Sequence, residues 1–105
     1  ADGCTLFLDT GQQVPVTALV VIGRNPTGAG AEPVAIADDT RSVSKTHLSI
    51  RPVDGGLEVT DRHSTNGTGV VRGGKEQVLS PGEPALARPG DTIRFGERTA
   101  RVERT

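Results

Sequence analysis

Three short clusters in this 105-residue chain carry residue types suited to holding an anion: Gly23-Arg24, Ser44-Lys45-Thr46-His47, and Ser64-Thr65-Asn66-Gly67-Thr68. Each sits at the end of a strand-like run and sets small polar donors beside a cation or a glycine. Arginine presents a planar fork of N–H groups that matches phosphate oxygens two at a time. Serine and threonine hydroxyls add compact neutral donors, and an asparagine amide offers both a donor and an acceptor to an extended peptide. Gathered at one end of a β-sandwich, such loops would enclose a compact anion, and the physics favours a phosphate on a peptide. A phosphorylated side chain brings about −1.5 to −2 charges at pH 7 and three acceptor oxygens.

Two other chemistries compete for the same residues. Ser44, His47 and Asp61 are the types of a hydrolytic triad, which needs hydroxyl, imidazole and carboxylate hydrogen-bonded in series. Ser44 and His47 stand three apart on one tight loop, and no Gly-x-Ser-x-Gly elbow surrounds the serine. Catalysis is therefore not expected. Two histidines, one cysteine and scattered carboxylates show no metal-ligand spacing, so neither a metal nor a cofactor is expected.

The scaffold must be thin. Apolar residues make up 33% of the chain and aromatics 2%, Phe7 and Phe95 alone, so the core falls to Val, Leu, Ile and Ala. Period-2 alternation recurs: Cys4, Leu6 and Leu8 oppose Thr5, Phe7 and Asp9, and the same holds around Leu48-Ile50, Leu57-Val59, Ile93-Phe95 and Ala100-Val102. Clean alternation predicts antiparallel sheets with one buried face, and the continuous run Ala18 to Ile22 predicts a strand covered on both faces. The 14 glycines and 7 prolines punctuate these runs, with Asp54-Gly55 and Gly96-Glu97-Arg98 reading as hairpin connections. Asn66-Gly67 taken alone also reads as a hairpin turn. About ten short strands at close spacing predict one all-β domain over residues 1–105, an antiparallel sandwich of two sheets. The irregular stretches Asn25 to Pro33 and Ala37 to Ser44 flank the first two clusters, where binding residues commonly lie.

Composition also excludes functions. A net charge of −1 gives no bulk attraction to nucleic acid, and the chain shows neither a groove-reading helix pattern nor stacking aromatics. The longest apolar run falls far short of the ~20 residues that cross a bilayer, so no direct membrane contact by this domain is expected. The single cysteine, Cys4, cannot pair internally and reads as a small buried hydrophobe. The first residue is Ala rather than Met, so the chain is expected to be a portion of a longer protein. Ten arginines against two lysines suit a GC-rich bacterial genome.

Taken in order, Gly23-Arg24, Ser44-x-x-His47, Asp61-x-x-Ser64-Thr65-Asn66-Gly67-Thr68 and Pro89-Gly90-Asp91-Thr92-Ile93-Arg94-Phe95-Gly96 resemble the forkhead-associated (FHA) domain, across roughly residues 3 to 104. The resemblance implies an eleven-stranded β-sandwich that binds phosphothreonine through loops at one edge. It implies phosphopeptide contacts by Arg24, Ser44, Lys45, Thr65 and Asn66, the last through its amide to the peptide backbone. It further implies structural support from Gly23, His47, Ser64 and Gly67, and leaves His63 without a role. Lys45 stands where the family often has arginine, so it would act as a point charge without the fork. Arg62-His63 and the stretch Gly69 to Gly74 depart from the family pattern. Arg41, Arg62 and Arg72 would either favour acidic residues beside the phosphothreonine or remain solvated charge.

The expected function is thus a non-catalytic reader that recruits Thr-phosphorylated partners in a bacterial Ser/Thr kinase pathway. The domain is expected to be monomeric and cytoplasmic, or on the cytoplasmic face if the parent chain spans a membrane. The competing reading is the same fold retained as a phosphate-independent interaction surface, against which the near-complete set of binding residues argues.

Overall fold

A computed structural model describes residues 3–105. Among them the chain forms eleven strands and no helix: β1 Cys4–Leu8, β2 Gln13–Val16, β3 Val20–Gly23, β4 Glu32–Ala35, β5 Leu48–Val53, β6 Gly56–Asp61, β7 Thr68–Arg72, β8 Lys75–Val78, β9 Ala85–Ala87, β10 Thr92–Phe95 and β11 Arg98–Arg104. They build a six-stranded sheet in the order β2-β1-β11-β10-β7-β8 and a five-stranded sheet in the order β4-β3-β5-β6-β9.

The alternating runs become the inner faces of the two sheets. Leu6, Ile93, Phe95 and Val102 from one sheet meet Ile22, Leu48, Ile50, Leu57 and Val59 from the other, all fully buried. Burial of each such side chain contributes about 1.5–3 kcal/mol by transfer, and Phe95 is the one buried phenyl ring. Phe7 points to the outer face, where the Arg101 guanidinium lies 5.7 Å from its ring centre. Cys4 is buried at the sheet margin, as a small hydrophobe should be.

Three expectations need correction. The sheets are not wholly antiparallel, because β3 and β4 run parallel, with Val20 opposite Glu32 and Gly23 opposite Ala35. The intervening loop arches back over β3, bringing Gly28 against Val21, which explains how Val21 is buried outside the main core. The apolar run also starts late, since Ala18 is exposed and the strand begins at Val20. Asn66-Gly67 is not a hairpin: it lies in the link from β6 in one sheet to β7 in the other. The two-residue hairpins are Asp54-Gly55 between β5 and β6, Gly73-Gly74 between β7 and β8, and Gly96-Glu97 between β10 and β11.

Edge strands carry their own signature. β2 and β4 each lie at a sheet edge and contain Pro15 and Pro33, which lack a ladder donor and blunt those edges.

The topology brings four chain segments to one end of the sandwich. They are the exit of β3, the connection into β5, the link from β6 to β7, and the β10–β11 hairpin. Pairings of Ile22 with Leu48, Leu48 with Asp61, and Thr68 with Phe95 set their heights level.

Candidate functional site

Gly23 sets the spacing of the first two loops. A Cβ there would lie 1.9 Å from the Lys45 carbonyl oxygen, so only glycine allows β3 to run this close to the 44–45 backbone. The next two amides exploit the proximity: Arg24 N–H donates to Ser44 O at 3.0 Å and Asn25 N–H to Lys45 O at 3.1 Å. The Arg24 side chain is then aimed from its base. Its Nε donates to the Val43 carbonyl at 2.7 Å, leaving the two terminal amino groups of the fork for a ligand.

Ser44 is oriented from the opposite side. The Thr65 amide donates to Ser44 Oγ at 3.1 Å, so the serine hydroxyl proton is left to point outward. His47 is fully buried and braces both loops. Its Nδ1 accepts from the Ser44 amide at 3.1 Å, which makes Nε2 the protonated nitrogen, donating to Gly67 O at 2.8 Å. Its ring meets Phe95 edge-on at 6.0 Å, tying the site to the core. Burial lowers the His47 pKa below its usual value, against the Gly67 bond and the nearby Asp61, which push it up.

This geometry is not a triad. His47 takes the Ser44 amide rather than its hydroxyl, and Asp61 bonds neither of them. Asp61 instead organises the third loop: Oδ1 accepts from Ser64 Oγ at 2.5 Å and from Thr68 Oγ1 at 2.6 Å, and Oδ2 from the Ser64 amide at 3.1 Å. Burial pushes its carboxyl up, but these bonds outweigh that and hold it below the ordinary carboxylate value. Ser64 Oγ accepts in turn from the Gly67 amide at 3.0 Å. Gly67 adopts φ +82°, a left-handed turn that glycine enters without penalty. It presents its carbonyl to His47 and to the Gly96 amide, the latter at 3.1 Å.

An open cleft of about 700 Å³ lies over these loops. All five residues expected to touch a phosphopeptide line it: Arg24, Ser44, Lys45, Thr65 and Asn66. The four expected supports, Gly23, His47, Ser64 and Gly67, hold the loops from beneath by the contacts above. Asn66 has a second task, since Nδ2 donates to Ser42 O at 2.9 Å, which fixes the amide with Oδ1 and one N–H still free. The Lys45 ammonium and the Thr65 hydroxyl carry no bond among the described residues.

Sequence reasoning missed the device that shapes the second loop. Asp38 takes the Thr40 hydroxyl at 2.6 Å and the Thr40 amide at 3.2 Å on Oδ1, and the Ser42 and Val43 amides at 2.8 and 2.9 Å on Oδ2. Burial pushes its carboxyl up, and those bonds more than reverse the effect. The Asp-x-Thr spacing was the available signal, since aspartate recurrently bonds the backbone two residues on. Ser42, buried below the cleft, accepts the Glu97 amide at 2.7 Å and so joins the β10–β11 hairpin to the loop. Of the three arginines left open above, Arg72 is committed elsewhere, bonded in a fork to Asp91. Arg41 lines the cleft and Arg62 does not. The described residues contain no cluster of metal-ligating side chains.

The geometry now stands beside known proteins. The FHA domain model matches residues 20–96. A phosphothreonine-dependent FHA domain superposes with a TM-score of 0.68 at 31% identity, over 96% of this chain and 95% of that one. The FhaA FHA domain, solved in complex with the intracellular domain of another protein, gives a TM-score of 0.67 at 29% identity, over 95% and 99% of the two chains. An FHA domain from an Arabidopsis thaliana protein shares the fold, with a TM-score of 0.72 at 24% identity, over 100% of this chain and 86% of that one. No curated protein matches the sequence. The matched span takes in all three loop clusters, and the chain belongs to the FHA domain family.

Proposed function

We propose that this domain binds a phosphothreonine-containing segment of a partner protein, and that it does so without chemical turnover. One observation carries the reading: the Arg24 amide is bonded to the Ser44 carbonyl and the Thr65 amide to Ser44 Oγ, while the terminal amino groups of Arg24, the Ser44 hydroxyl proton and the Thr65 hydroxyl stay free over a single cleft. The terminal fork of Arg24 takes two phosphate oxygens, and the Ser44 and Thr65 hydroxyls and Lys45 supply the remaining donors. The free edge of the Asn66 amide faces the peptide backbone. Such a ligand is the product of a threonine kinase, so the domain recruits partners after that modification. Relatives support this, one being a phosphothreonine-dependent FHA domain.

A non-catalytic role is supported by His47, both of whose nitrogens are engaged in bracing. No general base then addresses the Ser44 hydroxyl.

Calorimetric titration of a phosphothreonine peptide tests the proposal. Hydrogen bonds to a charged group contribute roughly 1.5–3 kcal/mol each. Ordering a flexible peptide offsets much of the sum, which leaves micromolar affinity, about −8 kcal/mol. Arg24→Ala removes the bidentate contact and should weaken binding at least about tenfold, and in practice more, while the unphosphorylated peptide binds neither protein. Equal affinity of wild type and Arg24→Ala would end the proposal.

A further inference from the structure

The chain has two asparagines, and the residue after each sets them apart chemically. Asn25 precedes Pro26, whose nitrogen carries no hydrogen and cannot close a ring on the side chain. Asn66 precedes Gly67, whose nitrogen carries a hydrogen and has no Cβ beside it as a shield. Asn66 is exposed, so water and hydroxide reach the pair. In an unrestrained chain such a pair closes to a succinimide. Hydroxide withdraws the Gly67 amide proton and the nitrogen attacks Asn66 Cγ. The N–Cγ bond forms, the Cγ–Nδ2 bond breaks, and Nδ2 leaves as ammonia, taking its proton from water. Water then opens the ring at either carbonyl, giving aspartate or isoaspartate.

Both reacting groups are tied down in the folded site. The Gly67 amide donates to Ser64 Oγ at 3.0 Å, so its proton sits in a bond that ring closure must break. Asn66 Nδ2 donates to Ser42 O at 2.9 Å, which turns the leaving group towards the second loop. Neither partner is free to follow. Ser64 Oγ is anchored on Asp61 at 2.5 Å, and Ser42 is buried, with its hydroxyl on the Glu97 amide at 2.7 Å. Thr65, between them in the chain, is pinned by its amide on Ser44 Oγ at 3.1 Å.

We propose that Asn66 is a latent site of self-modification, converted to a carboxylate by succinimide closure onto Gly67, and that the Ser64 brace sets the rate. The product ends phosphopeptide binding, a consequence that rests on the phosphothreonine reading above. A carboxylate lacks the donor that meets Ser42 O, and it sets a like charge beside the phosphate. Ring closure proceeds from a locally opened loop, so its rate follows the open population. Each neutral bond that must break lowers that population about two- to tenfold.

The test incubates the intact domain at mildly alkaline pH, below its melting range. Mass spectrometry then follows the tryptic fragment from His63 to Arg72, whose mass rises as the amide becomes an acid. A synthetic peptide of residues 63–72 is the unrestrained reference. Folded wild type should convert at least about fourfold more slowly than the peptide, from two bonds at about twofold each. Ser64→Ala keeps Asn66 and Gly67 but frees the amide, and should convert about two- to tenfold faster than wild type. Should Ser64→Ala not fold, hydrogen exchange on wild type decides: protection of the Gly67 amide should match the peptide-to-domain ratio of conversion rates within about tenfold, since both need the same opening. Asn66→Asp, the product made directly, should bind a phosphothreonine peptide at least about tenfold more weakly than fresh wild type. Conversion of folded wild type at the peptide's rate overturns the proposal, as does a folded Ser64→Ala no faster than wild type, a Gly67 protection outside that range, or full affinity in Asn66→Asp. Absence of any binding by fresh wild type, with conversion gated as expected, instead removes the underlying reading.

Discussion

Replacing Gly23 by alanine probes the contact on which the site's geometry rests. The added methyl would meet the Lys45 carbonyl oxygen at 1.9 Å, its carbon at 2.6 Å and the Ser44 oxygen at 2.8 Å. Carbon atoms pack comfortably only near 3.5 Å, so the two backbones must part by about 1.5 Å. That separation breaks the bonds from the Arg24 and Asn25 amides, now 3.0 and 3.1 Å long. Overpacking costs about 1–3 kcal/mol and each lost bond about 0.5–1.5 kcal/mol, a total of about 2–6 kcal/mol. Domains of this size hold about 5–15 kcal/mol in all, and each kcal/mol moves the melting temperature by about 4–8 °C. Gly23→Ala should therefore melt at least about 8 °C below wild type. Because Arg24 is carried away from Ser44, the affinity of variant that remains folded at 10 °C should fall by more than tenfold. A melting temperature within 2 °C of wild type, together with unchanged peptide affinity, would refute the claim that this close approach builds the site.

Two further perturbations separate the supports from one another. The unfolded chain protonates His47 near its ordinary value of 6.5, while the buried ring resists, its pKa being lowered. Below that pH the unfolded state binds more protons, so stability falls as pH drops from about 7 towards 5. Asp38 and Asp61, held below 3.8, lose their contribution only at more acid pH. Melting without peptide at pH 7.5 and 5.5 checks this, and an unchanged or higher melting temperature at pH 5.5 contradicts the neutral-brace assignment. Asp38→Ala leaves the amide of the buried Val43 without an acceptor, and the Ser42 amide keeps only its longer 3.3 Å bond to Thr40 Oγ1; an orphaned buried amide costs about 1–3 kcal/mol. Urea denaturation should show a loss of at least about 1 kcal/mol, and amide exchange should quicken most at Val43; a loss below about 0.5 kcal/mol would show that the loop holds its shape by other means.

What could be read in the sequence follows a physical division. Strands that bury one face, β1, β5, β6, β10 and β11, announced themselves by alternation, because the core enforces it. Of the edge strands, β4, β8 and β9 did not. β8 is exposed along its whole length, β4 buries one residue of four, and β9 has three residues. An edge strand is held by backbone pairing, which imposes no side-chain pattern. The parallel pairing of β4 escaped notice for the same reason. The loop clusters were legible because phosphate demands a narrow set of side chains. Asp38 and Ser42 were not, because their task is to satisfy backbone amides that any sequence carries.

The same division explains why the cleft is built before any ligand arrives. Three side chains that line it each commit one polar atom to the protein and leave another donor free. Arg24 gives Nε to Val43, Ser44 offers its oxygen to the Thr65 amide, and Asn66 turns Nδ2 to Ser42. The committed bonds cross between loops, 19 to 24 residues apart in sequence, so none can shift without dragging another. His47 closes the circuit by joining the Ser44 amide to the Gly67 carbonyl. Ordering costs on binding then fall on the peptide rather than on the receptor. A carboxylate mimic of the phosphate meets this frame badly. On the proposed binding mode it brings one charge and two oxygens where a phosphate brings about −1.5 to −2 charges and three, so a phosphomimetic peptide should bind more weakly than the phosphopeptide in the same titration.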